Sequence, residues 1–413
     1  MHQAVKEPRR ILIVAPDFYP LSGGYSNAIT NLVRCFLLNS NETNVTVVTL
    51  TPLGDNVELD IENLTIKRVI GFPRFIRYKA IFDQVKLGRI LKKYIVSDDF
   101  YFVLFETFEN PLAIWLATKS LDKDSLKKLA VRIHAATETE VFLYSERLVY
   151  RVYWYIVKRL VKRLPNILST TQYYIEFIKR YCLDDNVFHG FKNYGVVPNI
   201  VDTIPAQDKT GAFPEGKQSY TFFALGRMNC QGYNQKNFEL IAQAMFVIKM
   251  QNETLYRQIK VIIIGDGDWT NKFQATLCDL GVREQFILEQ SKSHKAVRSL
   301  QAAVQAVILV SRYEGQSMFA LESLAAGAPL IVSAGTGVSN LVENGKNGFL
   351  VNPDDPYSLA AAMSDLCDAN VELFRAESRR LYDSHYKPDK VIEKLFSYME
   401  LCRGSAKVYA SNE

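Results

Sequence analysis

The chain is poor in the residues that anchor metals and cross-links. Its 413 residues include 5 histidines and 6 cysteines, and the cysteines, at 35, 182, 230, 278, 367 and 402, lack the paired spacing of a zinc site or a disulfide framework. They are expected to be reduced thiols in a cytoplasmic setting. Long hydrophobic runs are missing as well. Nothing approaches the roughly 20 apolar residues that span a bilayer, and the apolar run at residues 11–15 is too short for the core of a signal peptide. On that expectation the four Asn-x-Thr triplets, at Asn41, Asn44, Asn63 and Asn252, are chance. No internal repeat or low-complexity tract is present, so nothing points to a repeat array. No nucleic-acid recognition module is legible either, and nucleic acid is not expected as a partner.

What is present is an ordinary globular balance, with 48% hydrophobic and 23% charged residues. The length suits two domains of roughly 200 residues each. The net charge of +5 is unevenly held: residues 1–200 carry 27 Lys and Arg against 20 Asp and Glu, and residues 201–413 carry 22 against 24. The first half is therefore the half suited to an anionic surface. Short apolar runs at 11–15, 45–50, 65–70, 102–105, 129–133 and 167–169 alternate with helical stretches, and the pattern restarts at 221–225, 261–264, 285–289 and 306–310. Strand and helix alternating in this way predict an α/β chain with parallel sheets covered on both faces. Residues 204–218 supply proline, glycine and charge with little apolar content, and read as a linker. The expected domains are 1–203 and 219–386, with a terminal helix and tail at 387–413.

Residues 311–351, SRYEGQSMFALESLAAGAPLIVSAGTGVSNLVENGKNGFLV, hold the densest chemistry. A buried-strand pattern at 306–310 feeds a loop with Glu314, Gly315, Gln316 and Ser317, and an apolar-periodic helix begins at Met318 and Phe319. The first turn of such a helix leaves backbone N–H groups unpaired and carries partial positive charge, so a phosphate docks there readily. Ser317, Met318 and Phe319 are expected to lend those N–H groups, which would leave their side chains free to vary. Glu314 in the loop and Glu322 on the helix cannot serve a phosphate, since like charges repel. They suit hydroxyls, which a carboxylate accepts in charge-assisted hydrogen bonds about twice as strong as neutral ones. Phosphates in the middle and hydroxyl-rich rings at both ends describe a nucleotide sugar.

Other candidates sit at strand ends. Gly23-Gly24 lies where the first loop enters the first helix, and serves either close approach of backbone to a ligand or a plain tight turn. His134 closes the strand at 129–133, on the carboxyl edge where open sheets place ligands. Gly226-Arg227 follow the strand at 221–225, with Lys236 nine residues on. Gly265-Asp266-Gly267-Asp268 follow 261–264, but a dinucleotide fingerprint needs a third glycine where Thr270 stands.

Glu314 and Glu322, inside E-G-x-x-x-x-x-x-E-S-L-A-x-G-x-P-L-I-V-S and followed by N-G-x-N-G-F-L-V, resemble glycosyltransferase family 4. The resemblance spans nearly the whole chain and is strongest in 311–351. It implies the GT-B fold: two Rossmann-like domains facing one another across a cleft, with the C-terminal helix crossing back to the first domain. It also implies retaining, metal-independent transfer of a sugar from a nucleotide diphosphate to a glycan or lipid-linked acceptor, as in surface polysaccharide or lipopolysaccharide assembly. Under it Glu314 holds hydroxyls of the donor sugar and Glu322 the ribose. Arg227 and Lys236 grip the diphosphate, Gly23-Gly24 face it from the first domain, and His134 contacts the donor sugar. The Gly265 to Gly267 turn lies near the nucleotide without a metal, and no cofactor is expected. The chain departs from the family pattern where Asn237, Glu289-Gln290 and Asn340 replace usual residues. A nucleotide-sugar epimerase, a nicotinamide oxidoreductase using the Gly265 turn, and a non-catalytic descendant are the other readings.

Residues 147–164, RLVYRVYWYIVKRLVKRL, carry six basic residues and no acidic one. At about 100° per residue, Arg147, Arg151, Lys158 and Lys162 share an arc flanked by Trp154 and Tyr155, with Val149, Val152, Ile156 and Leu160 on the other side. That pattern suits a helix lying on anionic lipid, and equally a domain helix with a solvated basic face. A second basic stretch, PRFIRYKAIFDQVKLGRILKK, lies in the same half. The expected location is cytoplasmic, with peripheral contact to the membrane.

Overall fold

A computed structural model describes residues 9–20, 23–38, 43–50, 59, 61–69, 80–97, 100–134, 148–182, 193–201 and 220–404. The chain divides into two compact units, one formed by Met1–Ile200 with Lys387–Glu413 and the other by Val201–Tyr386. The sequence-predicted linker at 204–218 lies outside the described residues.

The first unit is built on seven strands: β1 (Arg9–Ala15), β2 (Thr43–Thr49), β3 (Leu64–Arg68), β4 (Phe102–Phe105), β5 (Leu129–Ile133), β6 (Asn166–Ser169) and β7 (Asn193–Val196). They run parallel in the order β3-β2-β1-β4-β5-β6-β7. Because successive side chains alternate across a strand, Leu12, Val14, Val103, Phe105, Val131 and Ile133 build a core on one face. Helices Ala80–Ser97, Pro111–Thr118, Leu148–Arg163 and Gln172–Cys182 cover that face. Ile11, Ile13, Phe102, Leu104, Ala130 and Leu168 point to the other, where helices Gly24–Leu38 and Pro388–Cys402 pack. The C-terminal helix thus returns to the first unit: Val391, Leu395 and Met399 join that core, Glu400 pairs with Arg9 at 3.2 Å, and Arg403 donates to the Tyr101 carbonyl at 2.9 Å.

The second unit carries β8 (Tyr220–Leu225), β9 (Ile259–Ile264), β10 (Phe286–Glu289), β11 (Ala306–Leu309), β12 (Leu330–Ser333) and β13 (Gly348–Val351), parallel in the order β10-β9-β8-β11-β12-β13. Counted within each unit, the first six strands take the same order, 3-2-1-4-5-6. That is the doubly wound arrangement, in which ligands bind outside the carboxyl ends of the strands where the winding reverses. Here the reversals fall between β1 and β4 and between β8 and β11.

The basic helix needs correction. It spans Leu148–Arg163, and Arg147 lies outside the described residues. Trp154 does not flank the solvated arc; it is 7% exposed and packs edge-on against Phe177, with Lys158 reaching over its ring. Val152, expected on the inner side, is 47% exposed. The sheet claims Tyr153, Trp154, Val157, Leu160 and Val161, which rotates the buried stripe away from the sequence-based assignment.

Candidate functional site

Along the carboxyl edge of the second sheet, five loops meet in the order set by the strands. Gly226 and Arg227 leave β8 at the reversal, and helix Cys230–Lys236 brings Lys236 back over Gly226. Glu314 leaves β11 on the opposite side of the reversal. Lys236 Nζ and Glu314 Oε2 form an ion pair at 2.5 Å, and the Ser311 hydroxyl donates to the same oxygen at 3.1 Å. The Arg312 amide donates to the Gln235 carbonyl at 2.9 Å, which ties the two loops together through backbone. Arg227 is exposed, and its guanidinium pairs with no carboxylate among the described residues.

The approach of these loops depends on glycine. A Cβ on Gly265 would lie 1.9 Å from the Gly226 carbonyl oxygen, so the β9 loop passes the β8 loop at a distance that no side chain allows. The Met228 amide donates to the Asp266 carbonyl at 2.9 Å, and the Trp269 amide to the Met228 carbonyl at 2.8 Å, lacing Gly265 and Gly267 to the β8 turn. The Asp266 carboxylate accepts from the Ser291 amide at 3.1 Å and so fixes the loop after β10. Gly337, after β12, donates its amide to the Glu314 carbonyl at 2.9 Å, and a Cβ there would meet the Gly315 carbonyl carbon at 2.8 Å.

Helix Met318–Ala325 starts at this edge. Ser317 is its N-cap, with the hydroxyl accepting from the Ala320 amide at 3.4 Å. The Met318 and Phe319 amides have no acceptor one turn back, as at any helix start. The expectation that these side chains vary freely is overturned at two positions. Ser317 caps the helix, and Phe319 is a core residue packed edge-on against Phe223 with ring centroids 5.3 Å apart. Gly315 and Gln316 are buried in the turn. Glu322, one helical turn further, lies 2.9 Å from His294 Nε2, within hydrogen-bond distance.

Asn237, which stands where a glycine was expected, has φ 56° and ψ 43° in the left-handed region. Asparagine is the non-glycine residue that tolerates this conformation best. Its side chain also donates to the Pro353 carbonyl at 2.7 Å. Helix Cys230–Lys236 therefore ends in a left-handed turn that asparagine satisfies as glycine would.

The edge of the first sheet is built differently. Glu106 follows β4 and His134 follows β5. Both are buried, and His134 Nε2 lies 2.5 Å from Glu106 Oε2. Arg132, fully buried on β5, donates its Nε to the same oxygen at 2.9 Å. Burial pushes the Glu106 carboxyl up, but Arg132 and His134 together outweigh it and hold the carboxyl below its usual range. Burial, with Arg132 beside it, holds the His134 imidazole below its ordinary value. Glu106 is therefore ionised and His134 neutral near pH 7, with Nε2–H donating to the carboxylate. Gly23 and Gly24 open helix Gly24–Leu38, which sets the Tyr25 ring edge-on to His134 at 5.1 Å and its hydroxyl 3.0 Å from the Glu106 carbonyl.

Three participants escaped the sequence reading: Glu106, His294 and Gly337. Glu106 was findable, since it closes a strand at the carboxyl edge just as His134 does. His294 and Gly337 carry no local signal. Each is explained only by the partner that the fold delivers.

The strand orders, loops and doubled architecture define the GT-B class of fold. A sucrose-phosphate synthase from Thermosynechococcus elongatus shares it at a TM-score of 0.72 and 14% identity, over 96% of this chain and 100% of that one. Residues 211–381 match the family described as Glycosyl transferases group 1. An uncharacterised glycosyltransferase of Methanocaldococcus jannaschii is 29% identical over 30% of this chain, and the chain spans only 31% of that protein's length. The O-antigen chain mannosyltransferase RfbU of Salmonella typhimurium is 23% identical over 61% of this chain and 68% of its own.

Proposed function

We propose that the protein is a retaining glycosyltransferase of family 4 type, moving a sugar from a nucleotide diphosphate to a glycan or lipid-linked acceptor in surface polysaccharide or glycolipid assembly. The observation that carries this reading is the pairing of Lys236 with Glu314 across the winding reversal of the second sheet, with Arg227 exposed on the loop after β8 and the loops held together by Gly265 and Gly337. A diphosphate set against Arg227, Lys236 and the Met318 and Phe319 amides would take over the lysine. Glu314, released from Lys236, would then accept hydroxyls of the donor sugar, and Glu322 with His294 would face the ribose.

The bond from the sugar's anomeric carbon to the diphosphate oxygen breaks while the acceptor hydroxyl oxygen bonds to the same carbon on the same face. The acceptor proton passes to the departing phosphate oxygen, so no separate base is required. Negative charge grows on that phosphate, and fixed cations stabilise the growth. One such contact is worth about 3 kcal/mol, or about a hundredfold in rate. No metal is assigned to the step, and the Asp266 carboxylate is occupied by the Ser291 amide. In the first unit Glu106 would orient the neutral imidazole of His134. The O-antigen chain mannosyltransferase relative supports an acceptor of the polysaccharide kind.

The test is a thermal-shift panel of uridine, guanosine and adenosine diphosphate sugars, followed by a product assay with and without acceptor. A donor that raises Tm and is consumed only with acceptor supports transfer. Consumption without acceptor assigns an epimerase, and stabilisation by a nicotinamide dinucleotide alone assigns an oxidoreductase.

A further inference from the structure

Among the described residues twelve large apolar side chains are exposed, and half of them stand on two helices of the first unit. Ile81, Phe82 and Val96 are on Ala80–Ser97, and Leu148, Val152 and Tyr155 are on Leu148–Arg163. At about 100° per residue, Phe82, Lys86, Arg89, Lys93 and Val96 share one stripe, all exposed. Leu148, Arg151, Val152, Tyr155, Arg159 and Lys162 share another, again all exposed. The inner sides of both helices enter the same core on the same face of the sheet, and Gln84 Nε2 donates to the Tyr153 hydroxyl at 2.9 Å to fasten one helix to the other. Both stripes therefore lie on the outside of a single helical layer.

The chemistry of the stripes is uniform. Cations alternate with apolar side chains, Leu148–Arg163 has no acidic residue, and Ala80–Ser97 has only Asp83. Arg159 is held over the Tyr155 ring at 5.1 Å and donates to its hydroxyl, so ring and cation present one surface. Exposed apolar side chains between exposed cations suit the boundary of headgroups and acyl chains, where the rings enter and the cations meet phosphate. No helix among the described residues is long and apolar enough to cross a membrane, so contact would be from the surface. A second copy of the chain would set these cations against one another.

We propose that the outer faces of Ala80–Ser97 and Leu148–Arg163 dock the protein on an anionic lipid bilayer. The surface is separate from the proposed transfer site, and each stands or falls alone. The experiment is flotation with vesicles of mixed phosphatidylglycerol and phosphatidylcholine, against phosphatidylcholine alone. The wild type should float only with the anionic vesicles, and high salt should lower the bound fraction by about tenfold or more. R151E/R159E/K162E and, separately, F82S/V152S/Y155S should each lose flotation to a similar extent with unchanged Tm, since all six positions are exposed. F82W should show a blue-shifted emission with anionic vesicles. Absence of wild-type flotation, or flotation of either triple variant equal to wild type, overturns the proposal. A dimer dissolved by these substitutions, without flotation, assigns the face to a second copy and overturns it too.

Discussion

At the carboxyl edge of the first sheet the charged groups are sealed: Arg132, Glu106 and His134 are buried, and Arg132 Nε and His134 Nε2 both meet Glu106 Oε2. At the same edge of the second sheet Lys236 and Glu314 are only partly buried, Arg227 is exposed, and the loops are positioned by glycines. One strand order thus supports two electrostatic designs. A charge network without access to solvent is held by its own members and is suited to orienting one imidazole. A network at the surface, pinned by backbone, can exchange its partners for a ligand.

The largest effect should come from breaking the sealed network. Glu106→Ala leaves a fully buried guanidinium without its carboxylate and should cost about 3 to 5 kcal/mol, read by hydrogen exchange as lost protection in the first unit. Equal loss from Glu314→Ala in the second unit would erase the contrast. Glu314→Ala should instead cut transfer by about a hundredfold while Tm stays near wild type. Gly265→Ala should come next, costing about 1 to 3 kcal/mol as the β8 and β9 loops separate, with donor affinity falling in parallel.

Acid should also tell the units apart. Glu106 is pulled below its ordinary 4.5 and His134 below its ordinary 6.5. Below pH 6.5 the unfolded chain takes up a proton that folded His134 refuses, and below 4.5 the same holds for Glu106. Stability tied to both is therefore present at pH 7 and declines as pH falls. Exchange protection should fall in the first unit between pH 7 and pH 5 while the second holds, and a parallel fall in both would contradict this. The smallest effect is at Asn237. Asn237→Ala should cost about 1 kcal/mol for the left-handed turn, whereas Asn237→Gly should be milder. Denaturant midpoints would resolve the two.

Much of this architecture was legible from hydrophobic runs alone, because a parallel strand buried on both faces is continuously apolar, as at 261–264 and 306–310. Arg227 and Glu314 stand in the turns after strands that the apolar runs located, whereas Lys236, singled out through the family resemblance, ends helix Cys230–Lys236. The inner side of the basic helix was not, since cations at Lys158 and Arg163 lie near its buried stripe and blur the polar arc. Phe319 looked dispensable because its backbone drew attention, yet helix phase aims its ring into the core. Glu106 follows a strand at the carboxyl edge as His134 does, but its partners Arg132 and His134 lie 26 and 28 residues away and are brought to it only by the fold.

Calorimetric titration of the preferred nucleoside diphosphate into wild type and Lys236→Met tests the central assignment most directly. Wild type should bind with measurable heat and the variant should lose affinity by about a hundredfold, as the loss of a contact worth about 3 kcal/mol demands. Equal affinity in the two proteins would contradict a diphosphate site at the winding reversal of the second sheet.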